Sequence, residues 1–115
     1  VIGHGPHMIN QIDFYKSKPL IYSLGNFIFP ADFRGKCSPY NLISTLEFSE
    51  SKKEPEVRLY PVYMENNSKT PKTRLIKEDE IHIVQNLLCE EDTSIKEHLE
   101  CSNDAFGIYF RLKTK

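Results

Sequence analysis

The sequence predicts a mixed α/β fold with largely antiparallel strands and helices gathered near the C-terminal end. Three observations predict it. Short apolar runs separated by polar links fill the first part of the chain. Period-two alternation recurs from Leu42 to Met64 and again from Phe106 to Lys113. Helical spacing of apolar residues is confined to the stretch from Glu78 to Leu99. A chain of 115 residues suits one domain rather than two. Its 15 basic and 16 acidic residues give a formal net charge of -1, which argues against a general nucleic-acid or anionic-membrane surface. No run approaches the roughly 18 apolar residues that span a bilayer.

Taken in order, Val1-Ile2-Gly3 reads as the end of a buried strand without a mate in the chain. A strand entering at the first residue implies a fragment: the C-terminal part of a larger domain, residues 1–115, whose N-terminal part would be its neighbour. Gln11–Tyr15 and Leu20–Leu24 form a hairpin across the polar link Lys16-Ser17-Lys18-Pro19. Gly25-Asn26 breaks the second strand, and Pro30 to Pro39 reads as loop. Leu42–Phe48 and Val57–Met64 make a second hairpin over the charged connection Glu50–Pro55. Pro61 lacks an N–H for a strand ladder, so its strand is expected at an edge or with a bulge.

Glu65–Thr73 is polar and reads as a mobile loop. Glu78-Asp79-Glu80 places three acids where a helix N-terminus favours negative charge, ahead of Ile81, Val84 and Leu88. Ser94 and Glu97 suggest a capping box for a second short helix carrying Ile95 and Leu99. A turn at Ser102-Asn103-Asp104 then leads into the last strand. Cys37, Cys89 and Cys101 form no CxxC and read as buried or free thiols, with Cys89–Cys101 pairing only if the two helices bring them together. Asn66-Asn67-Ser68 is formally a glycosylation sequon.

The chemistry concentrates at the start. His4-Gly5-Pro6-His7 puts two imidazoles three positions apart in a sharp turn, where both rings can face one centre. Neutral imidazole ligates zinc, manganese and iron, although a catalytic metal needs at least one more protein ligand. The competing reading is two histidines that hydrogen-bond within a turn. His82 reads as a helix-surface or packing residue, and His98 as a residue near the end of a short helix, where its charge suits the dipole. Asn26, where the strand breaks, tolerates unusual backbone angles as a turn former or uses its amide to bridge groups.

Gly3-His4-Gly5-Pro6-His7, with Ile12-Asp13-Phe14-Tyr15-Lys16, Lys18-Pro19-Leu20-Ile21 and Tyr22-Ser23-Leu24-Gly25-Asn26-Phe27, resembles the CapA family. These are bacterial capsule-synthesis proteins linked to poly-gamma-glutamate, with a calcineurin-like metallophosphatase fold. The likeness is dense over Val1 to Phe29 and looser beyond, where Tyr60-Pro61-Val62 and the Glu78–Leu88 helix keep the family's order. The resemblance implies His4 and His7 as ligands of a divalent metal (Mn, Fe or Zn), with His7 also a candidate catalytic acid, and Gly3, Gly5 and Asn26 as lining residues. Gly5 departs from the family, many members of which carry histidine there.

Two functions are consistent with that resemblance. In the first, the parent protein is a metal-dependent hydrolase acting on a phosphoester or on a peptide-like bond of the polymer, with metal-activated water as nucleophile. In the second, it is a non-catalytic component that binds, exports or anchors poly-gamma-glutamate or another capsule polymer. The second predicts a basic groove, for which Lys69, Lys72, Arg74 and Lys77 are candidates, although the balanced total charge makes a solvated loop the better reading of them. The implied partners are the polymer, other capsule-synthesis proteins and the rest of the domain. The implied location is the extracellular face of a bacterial membrane, the alternative being the cytoplasm.

Overall fold

The computed structural model describes residues 1–6, 8–27, 38–65 and 72–113. The first hairpin is β1 (Ile12–Tyr15) with β2 (Lys18–Ile21), and the second is β3 (Tyr40–Glu47) with β4 (Glu56–Glu65). A short β5 (Lys72–Leu75) precedes a 3-10 turn over Glu78–Glu80, which runs straight into α1 (Ile81–Leu88). A second 3-10 turn, Thr93–His98, leads to β6 (Leu99–Asp104) and β7 (Gly107–Leu112). These strands pair antiparallel throughout, so the fold is a small mixed α/β arrangement of mostly antiparallel strands.

The first hairpin is tighter than the four-residue polar link suggests. Only Lys16 and Ser17 turn, with φ of 50° and 63°, while Lys18 and Pro19 already belong to β2. A two-residue turn with both central φ angles positive matches the right-handed strand twist. Val1–Gly3, expected to lack a mate, has one. Ile21 N–H donates to Val1 O at 2.8 Å and Gly3 N–H donates to Ile21 O at 2.6 Å, a parallel bridge between Ile2 and Ile21.

β4 is the hub of the larger sheet. β3 pairs along one side of it, and the other side is shared end to end by β7, opposite Arg58 and Leu59, and β5, opposite Val62 to Glu65. Pro61 is therefore not in an edge strand. Its partner Leu42 donates its N–H to Leu24 O, away from β4, so the pair is one in which both nitrogens face outward. The nitrogen of Pro61 thus faces the seam where β7 ends and β5 begins, and no ladder bond is lost there.

Later elements also differ from expectation. Lys72 and Thr73 lie in β5, not in a loop, while residues 66–71, with the sequon and Lys69, fall outside the described residues. The cap of the second turn is Asp92, whose carboxylate accepts from Ser94 N–H at 2.9 Å, rather than a Ser94–Glu97 box. Ser102 to Asp104 are strand rather than turn, and Leu99 opens β6, because they pair with β7 from Leu99–Leu112 to Asp104–Gly107. Cys101 consequently sits on a strand; it and the buried Cys89 are free thiols, and Cys37 lies outside the described residues.

Alternation sorts the larger sheet into two faces. Leu42, Val57, Leu59, Phe110 and Leu112 point into a core shared with Ile12 and Ile21 of the small sheet and with Val84, Leu88 and Ile95 of the helical layer. Phe110, Leu59 and Val84 are wholly buried, each contributing roughly 1.5–3 kcal/mol of transfer free energy. The opposite face carries Arg58 and Arg111 directly across from each other, a repulsive pair. Glu56, Glu100 and Asp104 neutralise it through ion pairs of 2.8–2.9 Å.

Candidate functional site at the histidine turn

The segments before and after the histidine turn lie on the two flanks of the strand that contains β2. Val1–Gly3 lies parallel on one flank. On the other flank the chain returns antiparallel, with Ile9 bridged to Leu24, Asn10 N–H donating to Ser23 O, and Tyr22 N–H donating to Gln11 O. Gly3 and Ile9 therefore stand on opposite flanks of this strand near the end where Gly25 and Asn26 emerge. Strand ends of this kind, with their following loops, are where α/β folds place their chemistry.

Local sequence explains how closely the segments fit. A Cβ on Gly3 would stand 2.5 Å from Tyr22 O, so only glycine lets this backbone lie against the strand. Gly5 has φ of +144° and open space where a Cβ would project, and His4 beside it is exposed. The turn therefore presents an imidazole beside an uncrowded backbone. His7, the second candidate ligand and candidate acid, lies outside the described residues.

The opposing loop is held by groups the sequence reading missed. Gly25 has φ of +89° and donates its N–H to Ser23 Oγ at 3.3 Å, with both residues buried. Asn26 N–H donates to Oδ1 of the buried Asn41 at 2.7 Å, and Thr73 Oγ1 donates to Phe27 O. Ser23 was legible as part of the Tyr22–Phe27 string, but nothing in the sequence linked Asn41 or Thr73 to it. Gly3, His4, Gly5 and Asn26 thus share one end of the small sheet.

Among the described residues, His4 is the candidate metal ligand that this turn supplies. Exposed imidazole at a turn is a suitable ligand for a divalent transition metal. Among the described residues, no three His, Cys, Asp or Glu side chains gather so as to hold a metal ion. His82 is exposed on α1, and His98 packs its ring 5.1 Å from that of Phe14 with Nδ1 3.1 Å from Lys113 O.

Residues 1–31 match the family model described as bacterial capsule synthesis protein PGA_cap. The matched stretch contains the histidine turn and the Asn26 loop. Over 28 residues the chain is 54% identical to two uncharacterized proteins of Sinorhizobium fredii (strain NBRC 101917 / NGR234), y4sH and y4uA. The matched stretch is 24% of this chain and 6% of each relative, so the chain spans a small part of their length. No solved structure matches the chain.

Two other features lie away from this end. Glu80 is buried and receives hydrogen bonds from Arg74, from Tyr40 Oη at 2.6 Å and from Lys77 N–H at 2.9 Å. The Arg74 guanidinium, with Tyr40 and Lys77 against burial, holds the Glu80 carboxyl down at about 2. Burial, then Glu80 itself, pushes the Tyr40 phenol up to about 12. This cluster fastens the start of α1 to β3 and β5. It also removes Arg74 from any basic groove, since the same guanidinium pairs with Glu65 and stacks 4.5 Å from the Tyr63 ring centre. The second feature is a cavity of about 500 Å³ on the outer sheet face, lined by Ile43, Tyr60, Leu75 and Phe106 with Arg58 and Asp104.

Proposed function

We propose that this chain carries part of a divalent-metal site of the metallophosphatase type, in a protein of poly-gamma-glutamate capsule synthesis. The reading rests chiefly on one observation: the segments before and after the histidine turn, Val1–Gly3 and Ile9–Gln11, flank the strand from whose end Asn26 emerges. The family match to residues 1–31 covers both segments and supports the same reading. His4 and His7 would hold the metal, with further ligands supplied by parts of the domain outside this chain. The bound ion would act as a Lewis acid on a phosphoryl or amide oxygen. Gly3 lets the turn's backbone lie against the strand, Gly5 would leave room for substrate to approach, Asn26 would offer an amide at the rim, and His7 would protonate a leaving group. The protein would work at the outer face of the bacterial membrane alongside other capsule-synthesis proteins.

The test is metal content and manganese-dependent phosphodiesterase and polymer-hydrolase activity of the intact protein, with His4→Ala and His7→Ala beside it. Loss of bound metal and of activity in both variants is the expected result. Polymer binding that persists with no metal bound in the wild type would sink the catalytic reading and leave a binding or anchoring component.

A further inference from the structure

We infer that Asn41 is a positioning residue for this site, fixing the Gly25-Asn26-Phe27 loop beneath the histidine turn; the inference rests on the reading of that loop as the rim of the site. Asn41 belongs to β3, far from the loop in sequence, yet only 1% of it is exposed. Its amide is spent in two directions: Oδ1 accepts from Asn26 N–H at 2.7 Å and Nδ2 donates to Pro39 O at 3.2 Å. Both partners dictate the amide's orientation, because a flipped group would set donor against donor and acceptor against acceptor. Leu42 N–H, one residue on, donates to Leu24 O at 2.7 Å and seats the loop along the edge of β3.

The fit is also steric. A Cβ at position 25 would lie 2.1 Å from Asn41 Oδ1, so Gly25 is the side-chain-free position that admits the Asn41 carboxamide. Glycine at 25 and asparagine at 41 therefore form a matched pair. The loop's path, and with it the position of Asn26, is thus set jointly by the loop's own glycine and by a residue of the larger sheet. Asn41 would not touch substrate or metal; it acts through Asn26.

The experiment compares wild type, Asn41→Leu and Asn41→Asp in the intact protein, by hydrogen exchange over residues 22–27 and by Mn²⁺ titration. Asn41→Leu is expected to raise exchange at Asn26 roughly tenfold or more while β4 and α1 stay protected, because only the loop's anchor is lost. Asn41→Asp keeps the acceptor but sets a carboxylate against Pro39 O. Its loop protection, referred to wild type at each pH, should be weakened at high pH, where the acid is ionised. It should recover on acidification, as the acid is protonated and the new O–H can donate. Burial and the facing carbonyl raise the pH at which this happens above the ordinary carboxylate range. A merely space-filling residue would show no such pH-dependent rescue. Unchanged exchange at Asn26 in Asn41→Leu, or an Asn41→Asp loop insensitive to pH, overturns the inference. Mn²⁺ binding is read separately: a wild type that binds none removes the metal reading, while the exchange result still decides whether Asn41 sets the loop.

Discussion

Gly5 and Gly25 both have positive φ, but a methyl group would meet open space at one and the Asn41 carboxamide at the other. Gly5→Ala should cost only backbone strain, about 1–2 kcal/mol. Gly25→Ala adds the displacement of Asn41 and the stranding of a buried amide, so a cost of roughly 3–4 kcal/mol is expected. Urea unfolding of the two variants checks this, and equal losses would mean that the loop yields without consequence. At this scale the sequence was informative where a residue type is rare in its role. Paired histidines around a glycine and proline, and Gly25-Asn26 closing an apolar run, both stood out. Asn41 did not, because its importance depends on a backbone N–H fifteen positions away that only the fold brings near.

Among the elements, the β1–β2 turn is the least comfortable, since Lys16 and Ser17 both adopt the left-handed region. Each such non-glycine residue costs roughly 1–2 kcal/mol, less when its side chain is short and polar. Replacing the pair with Asn-Gly should raise the thermal midpoint by several degrees, on the order of 4–8 °C per kcal/mol for a domain of this size. A midpoint that stays put in a melting experiment would show that the turn is not strained. Hairpins were legible because alternation is strong in β3, β4 and β7. Pro61 misled for a physical reason: its missing donor matters only if a neighbour needs it, and the seam between β5 and β7 removes the need. β6 was hidden because Leu99-Glu100-Cys101-Ser102-Asn103-Asp104 has only one strongly apolar residue facing the core, and its polar tail imitates a turn.

For the molecule as a whole, the sequence specified the fold class and the end of the sheet that carries the histidine turn, but not the electrostatics that tie its layers together. The carboxyl of Glu80 has a lower pKa folded than unfolded, so its stabilisation is complete above pH 4.5 and is lost as pH falls from there toward 2. Asp104, lowered chiefly by the Tyr60 hydroxyl, adds in the same direction. Glu56 does too, since burial raises it but Arg58 and Arg111 lower it further. Tyr40 acts at the other end, where its contribution is present below pH 10 and fades as pH climbs toward 12. Glu80→Gln should lower stability at pH 7 by on the order of 2–3 kcal/mol and flatten the loss between pH 4.5 and 3. Urea midpoints across that range decide it, and parallel curves for variant and wild type would assign acid sensitivity elsewhere.

The shared flank of β4 also has a consequence in time. Leu59 finds its partner Phe110 only after fifty-one further residues have been made. At the roughly 5–20 residues per second of protein synthesis, that leaves several seconds in which β3 and β4 are complete but half of one edge has nothing to pair with. An open, apolar strand edge is a template for a neighbouring chain. During those seconds on a crowded polysome this edge is open to neighbouring nascent chains, and the arrival of β7 ends that exposure.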